Sequence, residues 1–222
     1  METSPSIEPR VIQAFADWMV VDKPAGLHTV AQAGGGPSVE GWLRAAHPAV
    51  ASLDEAGLCH RLDQFTSGCL VVATTAEAHE RLRAAFGETG SGVRKIYLAL
   101  AAKGLPREGR FRLSFESRYK RSAKVTVREG GDAWNSGRCI WRVVGRGPAG
   151  HERVEVELIG PGRRHQIRAG LAHLGHPLAG DTLYGGAAVP GLNGPALHAW
   201  KLVVDGTQVE SPPPATFGEP SR

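Results

Sequence analysis

The chain has 222 residues, 41% hydrophobic and 22% charged, with a formal net charge of +4. That allows one large domain or two small ones and has the composition of a soluble globular protein, excluding a disordered or fibrous chain. No apolar stretch approaches the roughly 20 residues of a membrane span.

Met1 to Pro9 has no basic-then-apolar leader pattern. Residues 1–15 therefore read as an N-terminal tail, 16–217 as one domain and 218–222 as a C-terminal tail. Trp18 to Asp22 is a short apolar run that ends at the turn signal Lys23-Pro24-Ala25-Gly26. Ser38 can cap a helix with Val39, Trp42, Leu43 and Ala46 on one stripe, ended by Pro48. Cys69 to Ala73 reads as a buried strand, and Thr75 can cap a helix running to Phe86, with Gly87 beyond it. Strands are predicted at Ile96–Ala101, Arg110–Phe115, Ala123–Val127, Cys139–Val144 and Val154–Ile159. The last alternates, with Val154, Val156 and Leu158 on one face and Glu155 and Glu157 on the other. Gln166 to Leu174 predicts a helix with Ile167, Leu171 and Leu174 on its buried stripe, closed by Gly175. A final strand is expected at Leu197–Val204. Many strands and few helices predict an α+β fold with a mixed or antiparallel sheet flanked by helices.

The charge is unevenly spread. Between Ser91 and Arg128 eleven Lys or Arg face two acids, and Arg163, Arg164 and Arg168 follow as a second cluster. One such run usually marks a solvated face. Two in a near-neutral chain favour a polyanion, and nucleic acid is the partner this predicts. The three cysteines (Cys59, Cys69, Cys139) are odd in number and lack metal-ligand spacing. They read as reduced thiols of a cytoplasmic protein.

Leu58 to Gly68 (LCHRLDQFTSG) is a polar, charged run leading straight into an apolar strand, a common place for catalytic groups. Taken alone, Asp63 would more often cap a turn with Thr66 and Ser67. Three further segments change that reading. Lys95 to Ala99 sets Tyr97 inside an apolar strand, Gly162 to Arg168 (GRRHQIR) gathers donors at a helix start, and Leu174 to Asp181 (LGHPLAGD) runs on to Tyr184-Gly185.

With these runs the chain resembles the RluA-type family of RNA pseudouridine synthases. The family's H-R-L-D-x-x-T-S-G pattern stands at His60 to Gly68 and K-x-Y-x-A at Lys95 to Ala99. G-R-x-H-Q-I-R stands at Gly162 to Arg168, and L-G-H-P-(I/L)-x-G-D-x-x-Y-G at Leu174 to Gly185. Lys23 to Gly26 and Leu197-His198-Ala199 are weaker matches, and all occur in family order over about Trp18 to Phe217. The resemblance implies a pseudouridine synthase fold with a central RNA-binding cleft. It makes Asp63 the catalytic aspartate, Tyr97 the stacking partner of a flipped uracil, and Arg168 the partner of the catalytic carboxylate. Arg61 would help displace the base and Leu197 would line its pocket; His60, Arg163 and His165 join them as substrate-binding residues. Arg163 and Arg164 are left between RNA backbone contacts and pairing with sheet carboxylates.

The implied reaction breaks the N1–C1′ bond of a uridine in rRNA or tRNA and rejoins uracil through C5. Nothing is oxidised and no group is donated, so neither cofactor nor metal is expected. An arginine beside the carboxylate keeps it ionised, as nucleophile or base. Flipping the base costs a few kcal/mol, and an aromatic stacking partner returns about 1–3 kcal/mol.

The chain departs from the family at Gly104–Gly150, which matches poorly and leaves substrate choice open, and at Ala169-Gly170. Gly170 is expected to weaken its helix by up to about 1 kcal/mol relative to Ala. Within this length there is no room for the additional S4-type RNA-binding domain of some members, so recognition is expected to rest on the catalytic domain, acting as a monomer. The competing readings are a catalytically silent RNA-binding protein of the same fold and a metal-dependent nuclease. His173-x-x-His176 straddles Gly175 and no HExxH run is present, which speaks against the latter.

Overall fold

A computed structural model describes residues 8–88, 90–117, 119, 122–130 and 134–218. Its centre is a ten-stranded mixed sheet. The strands are β1 (Arg10–Ala14), β2 (Trp18–Lys23), β3 (Ser67–Ala73), β4 (Arg94–Ala101), β5 (Glu108–Glu116), β6 (Thr126–Glu129), β7 (Ser136–Arg146), β8 (Glu152–Ile159), β9 (Leu197–Val204) and β10 (Thr207–Glu210). They lie in the order β1-β2-β3-β9-β4-β8-β7-β5-β6, with β10 paired to β9. Every pairing is antiparallel except β3 with β9. The α-helices are α1 (Val39–Ala46), α2 (Ala76–Gly87) and α3 (Gln166–His173).

The caps act as their residue types require: Ser38 accepts from the Gly41 N–H and Thr75 from the Ala78 N–H. Helices α1 and α3 share a core with Tyr97, Phe111, Cys139, Val156 and Leu158. Helix α2 contributes Leu82 and Phe86 to a separate core with Trp18, Val20, Cys69 and Val71. The alternation of β2 and β3 therefore feeds both faces of the sheet.

Four expectations need correction. Residues 10–14, expected in a tail, form β1, almost wholly exposed and so without an apolar pattern to betray it. β10 was not expected, although Asp205-Gly206, both at positive φ, is a hairpin turn signal. The strand expected at Ala123–Val127 begins only at Thr126, because Arg164 binds the Ser122 and Ala123 carbonyls and Tyr184 takes the Val125 N–H. Leu174, expected on the buried stripe, is 39% exposed because α3 ends at His173. Of the basic segment, Arg118, Lys120 and Arg121 lie outside the described residues.

Gly170 also reverses its expectation. A Cβ there would collide with the Phe111 ring, so the glycine is what lets α3 settle onto β5.

Candidate active site

Asp63 sits on the loop before β3, and its position is set from several sides. Lys23 is fully buried, its ammonium donating to the carbonyls of Pro24, Leu27 and Gln64 at 3.0, 2.6 and 2.8 Å. Burial pushes its amine down to about 7, against the pull of Asp63. Thr29 Oγ1 donates to the Leu62 carbonyl and accepts from its N–H, and the Thr66 N–H donates to the Asp63 carbonyl. Just beyond, Gly68 has φ +108° and packs against the Ala199 backbone, an approach that leaves no room for a Cβ where β3 meets β9.

The Asp63 carboxylate faces Arg168 from 105 residues away. Arg168 Nη1 donates to Asp63 Oδ2 at 3.1 Å, while its Nε and Nη2 grip both oxygens of Asp181 at 2.8 and 2.9 Å. The Asp181 side chain is 1% exposed, Arg168 9% and Asp63 26%. One guanidinium thus bridges a buried carboxylate and a half-open one. Asp181, read from the sequence as part of a turn, is the group that aims Arg168. Its signal was the G-D-x-x-Y-G run itself.

His165 caps α3 in the left-handed region at φ 54°, an uncommon conformation for a residue with a Cβ. Its Nε2 lies 3.8 Å from Asp63 Oδ2, and its Nδ1 meets the Tyr184 hydroxyl at 2.8 Å. That hydroxyl also accepts from the Val125 N–H, and its proton and its second lone pair both face Nδ1, so Tyr184 can serve either tautomer of His165. Burial chiefly holds His165 below the usual imidazole range, partly offset by Asp63, so the ring is neutral at pH 7. Both neighbours approach Oδ2; among the described residues no hydrogen bond reaches Oδ1.

Asp63, His165 and Arg168 line a cleft of about 740 Å³ shared with Tyr97 and Leu197. Tyr97 lies in β4, 8% exposed, and its phenol is pushed well above the usual range, first by burial and then by the Asp63 charge. Thr66 Oγ1, also lining the cleft, is buried without a hydrogen-bond partner among the described residues. Lys95 Nζ donates to the Gly160 carbonyl at 2.6 Å, and burial brings its amine down to about 8.

The eight residues singled out from the sequence all line this cleft, but in different ways. Arg61 is exposed and forms no ion pair among the described residues. His60 lines the cleft but is held by the scaffold: its ring stacks on Phe86, its Nε2 accepts from the Val71 N–H, and burial pushes it down to about 3. It is a neutral strut of the scaffold. Of the two courses left open for Arg163 and Arg164, pairing with sheet carboxylates is not taken among the described residues: Arg163 Nε donates to the Ser136 carbonyl and Arg164 to those of Ser122 and Ala123. Among the described residues no three His, Cys, Asp or Glu side chains are grouped to hold a metal ion, and no helix is long and apolar enough to cross a membrane.

The family model described as RNA pseudouridylate synthase matches residues 17–173. Ribosomal large subunit pseudouridine synthase D of Pseudomonas aeruginosa is 35% identical over 183 residues, 81% of this chain and 54% of that protein. The protein of the same name from Xylella fastidiosa is 36% identical over 170 residues, 76% and 49% of the two chains. The chain spans about half the length of these curated relatives. The solved structure titled human RNA pseudouridylate synthase domain containing 4 shares the fold, with TM-score 0.72 at 19% identity, over 93% of this chain and 89% of that one. With the matched region holding the Asp63, Tyr97 and Arg168 runs, the chain belongs to the RNA pseudouridylate synthase family.

Proposed function

We propose that this protein isomerises uridine to pseudouridine in structured RNA, a stem-loop of rRNA or tRNA, with Asp63 as the catalytic carboxylate. The observation that carries the reading is the Asp63–Arg168 contact at 3.1 Å in a cleft lined by Tyr97 and Leu197. A cytoplasmic monomer is the proposed working form.

In this reading the flipped uridine stacks on Tyr97 beside Leu197, with Arg61 entering the gap it leaves. Asp63 presents Oδ1 to the ribose while Arg168 holds Oδ2 and keeps the carboxylate ionised. As nucleophile it attacks C1′; as base it takes a ribose proton. Either way the N1–C1′ bond breaks with its electron pair going to uracil. The released ring turns and C5 bonds to C1′, displacing the Asp63 oxygen in the nucleophilic course or with the abstracted proton returned to C2′ in the basic one; C5 then gives up its proton and N1 gains one, so atoms balance without a co-reactant. Proton exchange at C5 falls to the small set of groups at the cleft, Tyr97 among them.

The test is incubation with rRNA and tRNA from a synthase-deficient strain, followed by pseudouridine mapping. Product on a defined uridine, lost in Asp63→Asn while RNA binding stays within about threefold, is expected. Absence of Asp63-dependent product on either RNA class overturns the proposal.

A further inference from the structure

Strand alternation divides the basic middle segment between the two faces of the sheet. Phe111 and Leu113 of β5 and Cys139 and Trp141 of β7 are buried on the α3 side, in the core that includes Tyr97. Arg110 and Arg112, with Arg138, Ile140 and Arg142, alternate with them and are exposed on the opposite, outer face. Much of the positive charge therefore points away from the cleft.

The register sharpens this. Arg112 pairs directly across from Arg138, and Arg110 across from Ile140, so the three guanidinium groups are cross-strand or diagonal neighbours. Like charges placed directly opposite destabilise a sheet unless an anion lies between them. Three carboxylates of this region are engaged elsewhere, Glu155 with Arg142 at 3.4 Å, Glu157 with Arg94 at 2.8 Å and Glu116 with Arg128 at 3.9 Å, and a fourth, Glu108, lies directly across from Arg142 and forms no ion pair among the described residues. Among the described residues Arg110, Arg112 and Arg138 form no ion pair. Arg112 is oriented by Ser136 Oγ, which its Nε reaches at 3.2 Å.

The positive surface also continues to the cleft. From Arg112 and Arg138 it passes Arg128 on β6, at the end of the sheet, and reaches Lys124, whose ammonium lies 5.9 Å from the Tyr184 ring centroid. Tyr184 in turn holds His165 beside Asp63. Trp134, 81% exposed, stands at the turn entering β7. Unpaired guanidiniums, an exposed indole and the partly exposed Ile140 are the chemistry of a phosphate backbone with unstacked bases.

We infer that the outer face of β5 and β7 is a second RNA-binding surface, on which Arg110, Arg112 and Arg138 hold phosphates of RNA flanking the nucleotide in the cleft. The RNA leaves the cleft over Lys124 and rounds the sheet at β6. This rests on the RNA reading above but concerns affinity and reach, with Asp63 chemistry untouched.

The test compares binding of oligouridylates of about 6 and about 30 nucleotides, the shorter filling one site only. The triple variant Arg110→Gln, Arg112→Gln, Arg138→Gln is set against wild type and against Arg142→Gln, whose guanidinium is already paired. Three lost phosphate contacts lower the salt slope by about 2 and weaken the long oligomer on the order of tenfold at moderate salt. The short oligomer and the Arg142→Gln control stay near wild type. An unchanged salt slope for the long oligomer overturns the inference, as does equal loss on both lengths, which assigns the three arginines to the cleft. Wild type that binds neither length overturns the RNA reading itself. Melting curves at or above wild type confirm that the exposed substitutions leave the fold intact.

Discussion

Replacing Asp181 with Asn tests whether the site is an electrostatic relay or a pair of independent contacts. The Asp181 side chain is 1% exposed and holds Arg168 through two bonds of 2.8 and 2.9 Å. Asparagine keeps the volume, loses the charge and turns an NH2 toward a guanidinium N–H, so one bond fails and one weakens. Charge-assisted bonds contribute about 1.5–3 kcal/mol each, and breaking one partner of a buried pair costs about 3–5 kcal/mol. Asp63 remains as a counter-charge, which puts the expected loss near 3 kcal/mol. For a chain of this size that lowers Tm by roughly 6–12 °C. With its rear anchor gone Arg168 swings toward Asp63, and a misplacement of about 1 Å costs on the order of 100-fold in turnover. Release of tritium from RNA labelled at uracil C5 reads turnover, since that hydrogen leaves when C5 bonds to C1′. Asp63→Asn is the comparison: its carboxylate is 26% exposed and Arg168 keeps Asp181, so stability should change by less than about 1 kcal/mol while turnover disappears. An Asp181→Asn protein that melts within about 2 °C of wild type and turns over normally would refute the relay.

Tyr184→Phe keeps the ring beside Arg168 but frees His165 Nδ1. Nitrogen-15 shifts of His165 should then report a changed tautomer balance, with kcat falling roughly tenfold and KM steady; unchanged shifts would show that the Tyr184 hydroxyl does not set the tautomer. Gly170→Ala, a stabilising change on helix propensity alone, should cost about 1–3 kcal/mol in urea denaturation because its methyl meets the Phe111 ring; a gain in stability would show that the ring moves aside. Lys95 is lowered by burial to about 8, so between about pH 8 and 10.5 the unfolded chain holds a proton that the folded chain has released. Stability from this group therefore rises with pH across that window, by roughly 3 kcal/mol, and is lost as pH falls through 8. The rise should be missing in Lys95→Met, and an identical pH slope in the two proteins excludes Lys95 as its source.

The sequence alone determined the elements whose signals are local. Ser38 and Thr75 mark their helices because an N-cap hydroxyl satisfies a backbone N–H within three residues, and Val154 to Leu158 alternates because one strand face is buried. Four motif runs in order also named Asp63, Tyr97 and Arg168, since family chemistry is written in residue identity. Contacts made at a distance left no such trace. β1 is an exposed edge strand, and β6 starts late because Arg164 and Tyr184 capture the backbone before it. Tertiary structure alone showed that His60 is a strut, that Gly170 is a packing requirement and that Asp181 stands behind Arg168. It also divided the basic segment between two faces, because side-chain direction in a sheet depends on register and on which face a core covers.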